Sequence, residues 1–243
     1  MEPDRLAALI ANLDRPDKPT LRAAVDELLV HATNSEPVRE TLDRRLIEPG
    51  HKNYWPVAYI LGHLPKPSGG AIRTLLQTLD HREPDIRWAI SLLLVKIAKR
   101  EGSVVNLLVD LCRNGTANQR RMATYCLRDL ELNDAASLQA IVDLLSDTDA
   151  TVRVAATTSL KNRSDENERV RQALLESYLN DGDIKVRNAA AVTLASFGAP
   201  SEDFLRALNE AMKSNDSQSR KAATVALGLL GKKGESEIAP QSR

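Results

Sequence analysis

The residues that most often carry out chemistry in proteins do not fall here into the spacings that chemistry needs. The chain has four histidines, His31, His51, His63 and His81. None has a second histidine or a cysteine three or four positions away, so no helix face presents a pair of such ligands. The sequence also lacks a glycine-rich phosphate loop, a nucleophile elbow and an H-E-x-x-H motif. Two cysteines, Cys112 and Cys126, are too few for a zinc site or a disulfide scaffold. We therefore expect no metal, no cofactor and no catalytic residue.

A different set of residues has the composition of a binding surface. It comprises Tyr54, Trp55, Tyr59, His63, Trp88, Arg121, Tyr125 and Arg128, and it includes both tryptophans of the chain. Aromatic and arginine side chains dominate binding hot spots because they bury a large area. The competing interpretation is packing, in which Tyr54 and Trp55 fill space beside Pro56 and Trp88 is a partly buried wedge. The sequence leaves both interpretations open.

These residues belong to a chain that repeats about every 33 residues. The stretch TVRVAATTSL (151–160) returns as KVRNAAAVTL (185–194) and as SRKAATVAL (219–227). The arginines of this pattern stand at 153, 187 and 220, and steps of 32 to 34 toward the N-terminus reach Arg120, Arg87, Trp55 and Arg22. A fixed period of this length predicts stacked supersecondary units.

Each repeat reads as two helices, which we name the A helix and the B helix. Val152, Ala155, Ala156 and Leu160 have the spacing of one helix face, so they predict an apolar side of a B helix. Asp149 precedes this helix and suits its N-cap. A second apolar run at residues 138–145 predicts the A helix. Since neither helix can bury its apolar face alone, the repeats must stack, which makes the fold class all-α.

The pattern D-x-x-V-R-x-x-A, closed by a leucine at the end of the helix, resembles HEAT-like repeats of the short bacterial kind. The resemblance implies a right-handed α-solenoid of about seven two-helix repeats, whose B helices line the concave side and would carry the binding surface. The implied repeats lie near residues 3–32, 36–64, 69–99, 102–130, 134–162, 165–198 and 201–230. Residues 231–243 have no periodicity and little to bury, so we predict a disordered tail there.

The recurrent arginine has two interpretations. It could contact a ligand, or it could bridge to the acidic turn of the adjacent repeat and so form a ladder along the chain. The position of the arginine, at the start of each B helix, favours the ladder for Arg22, Arg87, Arg153, Arg187 and Arg220.

Charge and composition narrow the choice of partner. Lys+Arg and Asp+Glu both number 33, so the formal net charge is zero, which disfavours a nucleic-acid-binding protein. Residues 81–130 hold nine basic and five acidic side chains, and this local charge of +4 favours a partner with an acidic surface. The chain opens with the polar segment MEPDR rather than a signal peptide, and no apolar run approaches 18 residues. We expect a cytoplasmic protein that has no membrane segment.

The resemblance favours a non-catalytic scaffold that binds another protein, and it leaves two alternatives. One is a HEAT-like bilin lyase or chaperone subunit, which the aromatic cluster around Tyr59 resembles loosely. The other is a HEAT-like alkylpurine DNA glycosylase. In that case Trp55, Trp88 and Arg121 would line the DNA channel, and Asp85 or Asp129 would supply the acidic residue.

Overall fold

The computed structural model describes residues 2–47, 54–131, 134–161, 168–197 and 200–238, with the backbone alone for residues 232–238. Over these ranges the chain forms fourteen α-helices and one 3-10 turn, Leu144–Ser146, and it contains no strand. The A helices are α1 (Pro3–Asn12), α3 (Glu36–Arg45), α5 (Gly69–Thr78), α7 (Ser103–Asn114), α9 (Ala135–Asp143), α11 (Glu168–Asn180) and α13 (Glu202–Met212). The B helices are α2 (Lys18–Asn34), α4 (Trp55–Gly62), α6 (Pro84–Ala98), α8 (Ala117–Asp129), α10 (Ala150–Ser159), α12 (Ile184–Ser196) and α14 (Ser217–Ile238).

The helices are grouped in two compact units, Met1–Leu108 and Val109–Arg243, and the sequence boundary falls within α7. In the first unit each A helix packs on its B helix, and the B helices α2, α4 and α6 pack in succession. In the second unit the B helices α8, α10, α12 and α14 pack in the same way. This stacking of helix pairs is the predicted α-solenoid fold. In the part of the chain that the structure describes, no helix is long and apolar enough to span a membrane.

Burial follows the repeat. Leu28, Leu61 and Leu94 are 33 residues apart in the first unit, and at most 1% of each is exposed. Leu127 and Leu160 continue the series in the second unit, with no exposed surface. Each B helix therefore buries the same stripe against its neighbours. The predicted N-cap is also confirmed, since the Asp149 side chain accepts hydrogen bonds from the backbone N–H groups of residues 151 and 152.

The end of the chain differs from the prediction. We predicted that the last helix ends near Leu230 and that a disordered tail follows, but the backbone of α14 continues to Ile238. The segment after Gly231 contains Lys and Glu, which have high helix propensity, so a helix that has already begun can extend through it. Residues 239–243 lie outside the described ranges, as do the repeat bounds predicted at 162, 165 and 198.

The register of the first two repeats is also shifted by one residue from the prediction. Trp55 was aligned with the recurrent arginine, but the buried residues Val57 and Ile90 stand 33 apart, which aligns Trp55 with Trp88. Tyr54 therefore occupies the arginine position of its repeat. By the same step Arg22 aligns with Trp55, and its side chain is exposed at an outward position. The local sequence Tyr54-Trp55-Pro56 has no arginine to mark the register, which explains the error.

One buried hydroxyl gives a stability prediction. Ser159 has no exposed surface, and its Oγ finds no hydrogen-bond partner among the described residues. A buried polar group without a partner is destabilising, so Ser159→Ala should raise the free energy of unfolding by about 1 kcal/mol in a denaturant titration. Thr193, the equivalent residue of the next repeat, donates a hydrogen bond of 3.2 Å to the Thr157 carbonyl. Thr193→Val is therefore the control and should not stabilise the protein. A Ser159→Ala variant less stable than the parent would contradict the prediction.

Candidate functional site

The outward positions of α4 and α6 carry an aromatic and aliphatic surface. On α6, Trp88 is 43% exposed and Leu92 is 56% exposed, and the two residues lie one turn apart. On α4, Trp55 and Tyr59 occupy the positions 33 residues earlier and are half-buried. Because α4 packs directly on α6, the four residues form one surface, which we call the B-helix face of the first unit.

Trp55 also borders a cleft at the turn of the next repeat. Its indole lies edge-on to the His81 imidazole, with 6.4 Å between the ring centroids. A cleft of about 350 Å³ is lined by Tyr54, Trp55, Gln77, Asp80 and His81, together with two threonines. Tyr54 and His81 occupy the positions at which repeats of the second unit have an arginine and an aspartate. This junction therefore contains two aromatic rings where those repeats have an ion pair.

Tyr59 and His63 form a local pair on the same helix. Their rings are 4.5 Å apart, and His63 Nδ1 lies 2.8 Å from the Tyr59 carbonyl oxygen. Tyr59 also packs against the buried core of the first unit. These contacts fix the orientation of both rings, so packing accounts for part of the role of Tyr59 and His63.

The sequence interpretation missed Leu92. Leu92 stands in the run Leu92-Leu93-Leu94 of a B helix, and a leucine in such an apolar run fits the buried stripe. The signal was present in the sequence, because Leu92 lies 33 residues before Tyr125, which was selected as a surface residue.

The remaining predicted residues lie on α8, in the second unit. Arg121, Tyr125 and Arg128 are all partly exposed. The Arg128 guanidinium lies 4.9 Å from the centroid of the Tyr125 ring and also donates from Nε to Asp129 at 2.7 Å. Arg121 Nη2 donates to the side chain of Asn118 at 3.1 Å. The structure thus divides the eight residues into five in the first unit and three in the second. That all eight residues line one groove remains a prediction.

The second unit contains the predicted arginine ladder. Arg120 donates to the Asp147 carboxylate from Nε at 2.6 Å and from Nη2 at 2.8 Å. Arg153 binds the Asp181 carboxylate of the following repeat in the same way, at 2.7 Å and 2.9 Å. The side chains of both aspartates are less than a tenth exposed. Such two-bond pairing is specific in geometry and stronger than a single neutral hydrogen bond. The ladder prediction is confirmed at Arg153, and Arg120, which the prediction did not name, forms the same pair.

The same arginines also hold their own turns. Arg153, Arg187 and Arg220 each donate from Nη1 to the carbonyl six residues earlier, at 2.8 Å, 2.6 Å and 2.7 Å. Arg87 makes the equivalent bond to the His81 carbonyl in the first unit. Each of these guanidinium groups therefore stabilises the turn between the A and B helices of its own repeat.

The cysteines belong to the core. Cys112 and Cys126 are at most 1% exposed. Burial raises the pKa of the Cys112 thiol to about 12, and burial likewise raises the pKa of Cys126 above its ordinary value. Both thiols stay protonated at neutral pH, so neither is a nucleophile. Within the described ranges, no group of three or more His, Cys, Asp or Glu side chains is placed to hold a metal ion.

The comparisons with known proteins agree with this architecture. A family model of HEAT repeats matches residues 118–195. No curated protein sequence matches the chain. Among solved structures, the YIBA protein of Escherichia coli is similar at a TM-score of 0.58 and 19% identity, covering 96% of this chain and 83% of that one.

Two larger proteins contain a similar arrangement of helices. Kap95p, in a structure that describes its binding to RanGDP, matches at a TM-score of 0.65 and 16% identity, over 100% of this chain and 36% of Kap95p. A mutant of Kap121p matches at 0.66 and 13% identity, over 98% of this chain and 31% of that protein. At these identities the likeness concerns the fold. The family match over residues 118–195, the paired helices of the described ranges and these neighbours agree: the chain has the architecture of a HEAT-like repeat protein.

Proposed function

We propose that the protein is a non-catalytic scaffold that binds another protein through its B helices. The observation that carries this proposal is the B-helix face of the first unit, where Trp88 and Leu92 are 43% and 56% exposed beside Trp55 and Tyr59. Large apolar side chains exposed next to one another on a folded domain are typical of an interaction surface. Trp and Tyr are also enriched among residues that dominate binding energy.

Basic side chains at the outward positions of the B helices in the second unit support an acidic partner. At or near the outward positions of its B helices stand Arg121 and Arg128 on α8, Lys161 after α10 and Lys221 on α14. The Arg128 charge is offset by its contact with Asp129, whereas Lys161 and Lys221 are exposed. Basic side chains of this kind accelerate association with an acidic surface and select against basic partners. The HEAT-repeat fold commonly presents extended surfaces of stacked helices to other proteins.

Trp88→Ala should weaken the binding of the partner at least about tenfold, since truncating a central aromatic residue costs more than about 1.4 kcal/mol of binding energy. The partner is first captured from the source organism and purified, and its affinity is then measured by isothermal titration calorimetry. Leu107→Ala is the matched control, because Leu107 is also 43% exposed but lies on the A helix α7. The Leu107 variant should bind as the parent does.

Equal loss of affinity in both variants, or no loss in either, would place the binding surface elsewhere. Titrations of the parent with duplex DNA and with a free bilin separate the two alternative functions. Salt-dependent DNA binding would favour the glycosylase-like function, and a shift of the bilin absorbance would favour the lyase-like function.

A further inference from the structure

We propose that the Arg187 guanidinium in the second unit is a binding site for a carboxylate that comes from outside the chain. This site lies at the junction of the last two repeats in the second unit, whereas the B-helix face belongs to the first. It is inferred by comparing three equivalent positions of the arginine ladder within one unit.

At two of these positions the chain itself supplies the carboxylate. Arg120 and Arg153 each direct Nε and Nη2 at both oxygens of an aspartate in the next repeat, at distances of 2.6 to 2.9 Å. In both cases one carboxylate oxygen also accepts the backbone N–H two residues further on, at 2.8 Å. The repeat thus shows which chemical group this arrangement of donors binds.

At the third position the aspartate is replaced by a serine. Ser214 stands where Asp147 and Asp181 stand, and its Oγ accepts the backbone N–H of Asp216 at 3.1 Å, as the aspartates do for residues 149 and 183. A serine is uncharged and offers only one oxygen. Arg187 donates from Nη1 to the Asp181 carbonyl at 2.6 Å, as Arg153 does to the Asp147 carbonyl, and its Nε and Nη2 have no hydrogen-bond partner among the described residues.

The space beside Arg187 suits a small anionic group. A cleft of about 250 Å³ is lined by Arg187, Asn188, Ser214 and Ser219, with Tyr178 and Glu210 on its other side. The hydroxyl of Ser214 and the amide of Asn188 can donate to a carboxylate that pairs with Arg187. A carboxylate pairs with a guanidinium through two parallel hydrogen bonds, so an acid side chain or a small carboxylic acid fits better than a halide.

Two acidic groups of the chain lie near this cleft and oppose a second negative charge. Asp216 caps the first turn of α14, but Asp149 and Asp183 cap α10 and α12 at the corresponding positions of the occupied ladder and do not prevent pairing there. Glu210 lies on the exposed rim of the cleft, so it competes with an incoming carboxylate from solvent. Glu210→Gln should therefore strengthen the binding.

The test follows the Nε–Hε signals of the arginines by NMR while sodium acetate is added at constant ionic strength. The Arg187 signal should shift and saturate, whereas the signals of Arg120 and Arg153 should not move because Asp147 and Asp181 already bind them. Ser214→Asp should complete the ladder and abolish the Arg187 response. Gln218→Glu adds the same charge on the exposed first turn of α14, and that control should leave the response intact.

Further arms identify the source of the carboxylate. If a blocked tripeptide with a central glutamate saturates the Arg187 signal at a lower concentration than acetate does, the carboxylate is an acidic side chain of a partner. If acetate saturates the signal at the lower concentration, the carboxylate is a small carboxylic acid. An Arg187 signal that does not shift, that shifts equally with the glutamine version of the peptide, or that still responds in Ser214→Asp would overturn the proposal. Loss of Trp88-dependent partner binding would leave this result unaffected, so the two proposals fail separately.

Discussion

Leu160→Ala should lower the free energy of unfolding by about 2–5 kcal/mol, because the change removes buried methyl groups and leaves a cavity. Leu160 has no exposed surface, and it occupies the core position that Leu127 and Leu194 hold in the adjacent repeats. Each repeat contacts only its neighbours, so the cavity weakens the packing on both sides of α10. Urea titrations that follow helical circular dichroism measure the effect.

The control for this change is Leu179→Ala. Leu179 belongs to the same unit but is 46% exposed on α11, so its truncation should change stability by less than about 0.5 kcal/mol. If Leu160→Ala unfolds at the same urea concentration as the parent, the buried stripe assigned to the B helices is wrong.

Asp181→Asn should destabilise the protein by about 1–3 kcal/mol, since it leaves the Arg153 guanidinium without its charge partner. The two side chains are only 17% and 7% exposed, so water replaces the lost pairing poorly. Asparagine keeps an oxygen for the backbone N–H of Asp183, so the change tests the ion pair and not the turn. Asp203→Asn is the control, because Asp203 and its partner Arg206 are both 68% exposed and their pair contributes little.

The Asp181→Asn variant also tests how the stability of the ladder depends on pH. Burial by itself raises the pKa of Asp181, but hydrogen bonds from Arg153 and from the backbone of Asp183 outweigh burial and hold this pKa below its usual value. The pKa is thus lower in the folded chain than in the unfolded one, so the stabilisation is complete above about pH 4 and is lost as the pH falls through the folded value. The difference in stability between parent and Asp181→Asn should therefore shrink between pH 7 and pH 3. A difference that stays constant would show that the charge is not responsible.

The sequence predicted the features that recur in every repeat. The 33-residue period, the Asp149 cap and the pairing of Arg120 and Arg153 with acidic turns follow from residues that reappear at one spacing. The register failed where the marker is lost, at Tyr54-Trp55-Pro56, because one residue of displacement rotates a helix by about 100° and exchanges buried for exposed positions. Leu92 was missed for another reason, because it stands in an apolar run with the buried residues Leu93 and Leu94.

The composition of the site could be predicted more readily than its arrangement. Trp88 is exposed and Trp55 is half-buried, while their role in binding stays a prediction. The contacts of His63 with Tyr59 and of Arg128 with Asp129 depend on side-chain conformations that no sequence pattern specifies. Convergence of all eight residues on one groove depends on how successive helices stack across the repeats, which is a long-range property of the chain.

The arginine ladder has a consequence for how the second unit unfolds. A pair such as Arg153 and Asp181 couples adjacent repeats, so opening one repeat removes stabilisation from the next, and the unit behaves as a one-dimensional cooperative chain. The strength of that coupling varies along the chain, because Ser214 offers Arg187 no charge where Asp147 and Asp181 serve the preceding arginines. The segment that unfolds cooperatively should therefore end at α12. The pair α13–α14 can open in local fluctuations that leave the rest of the unit folded.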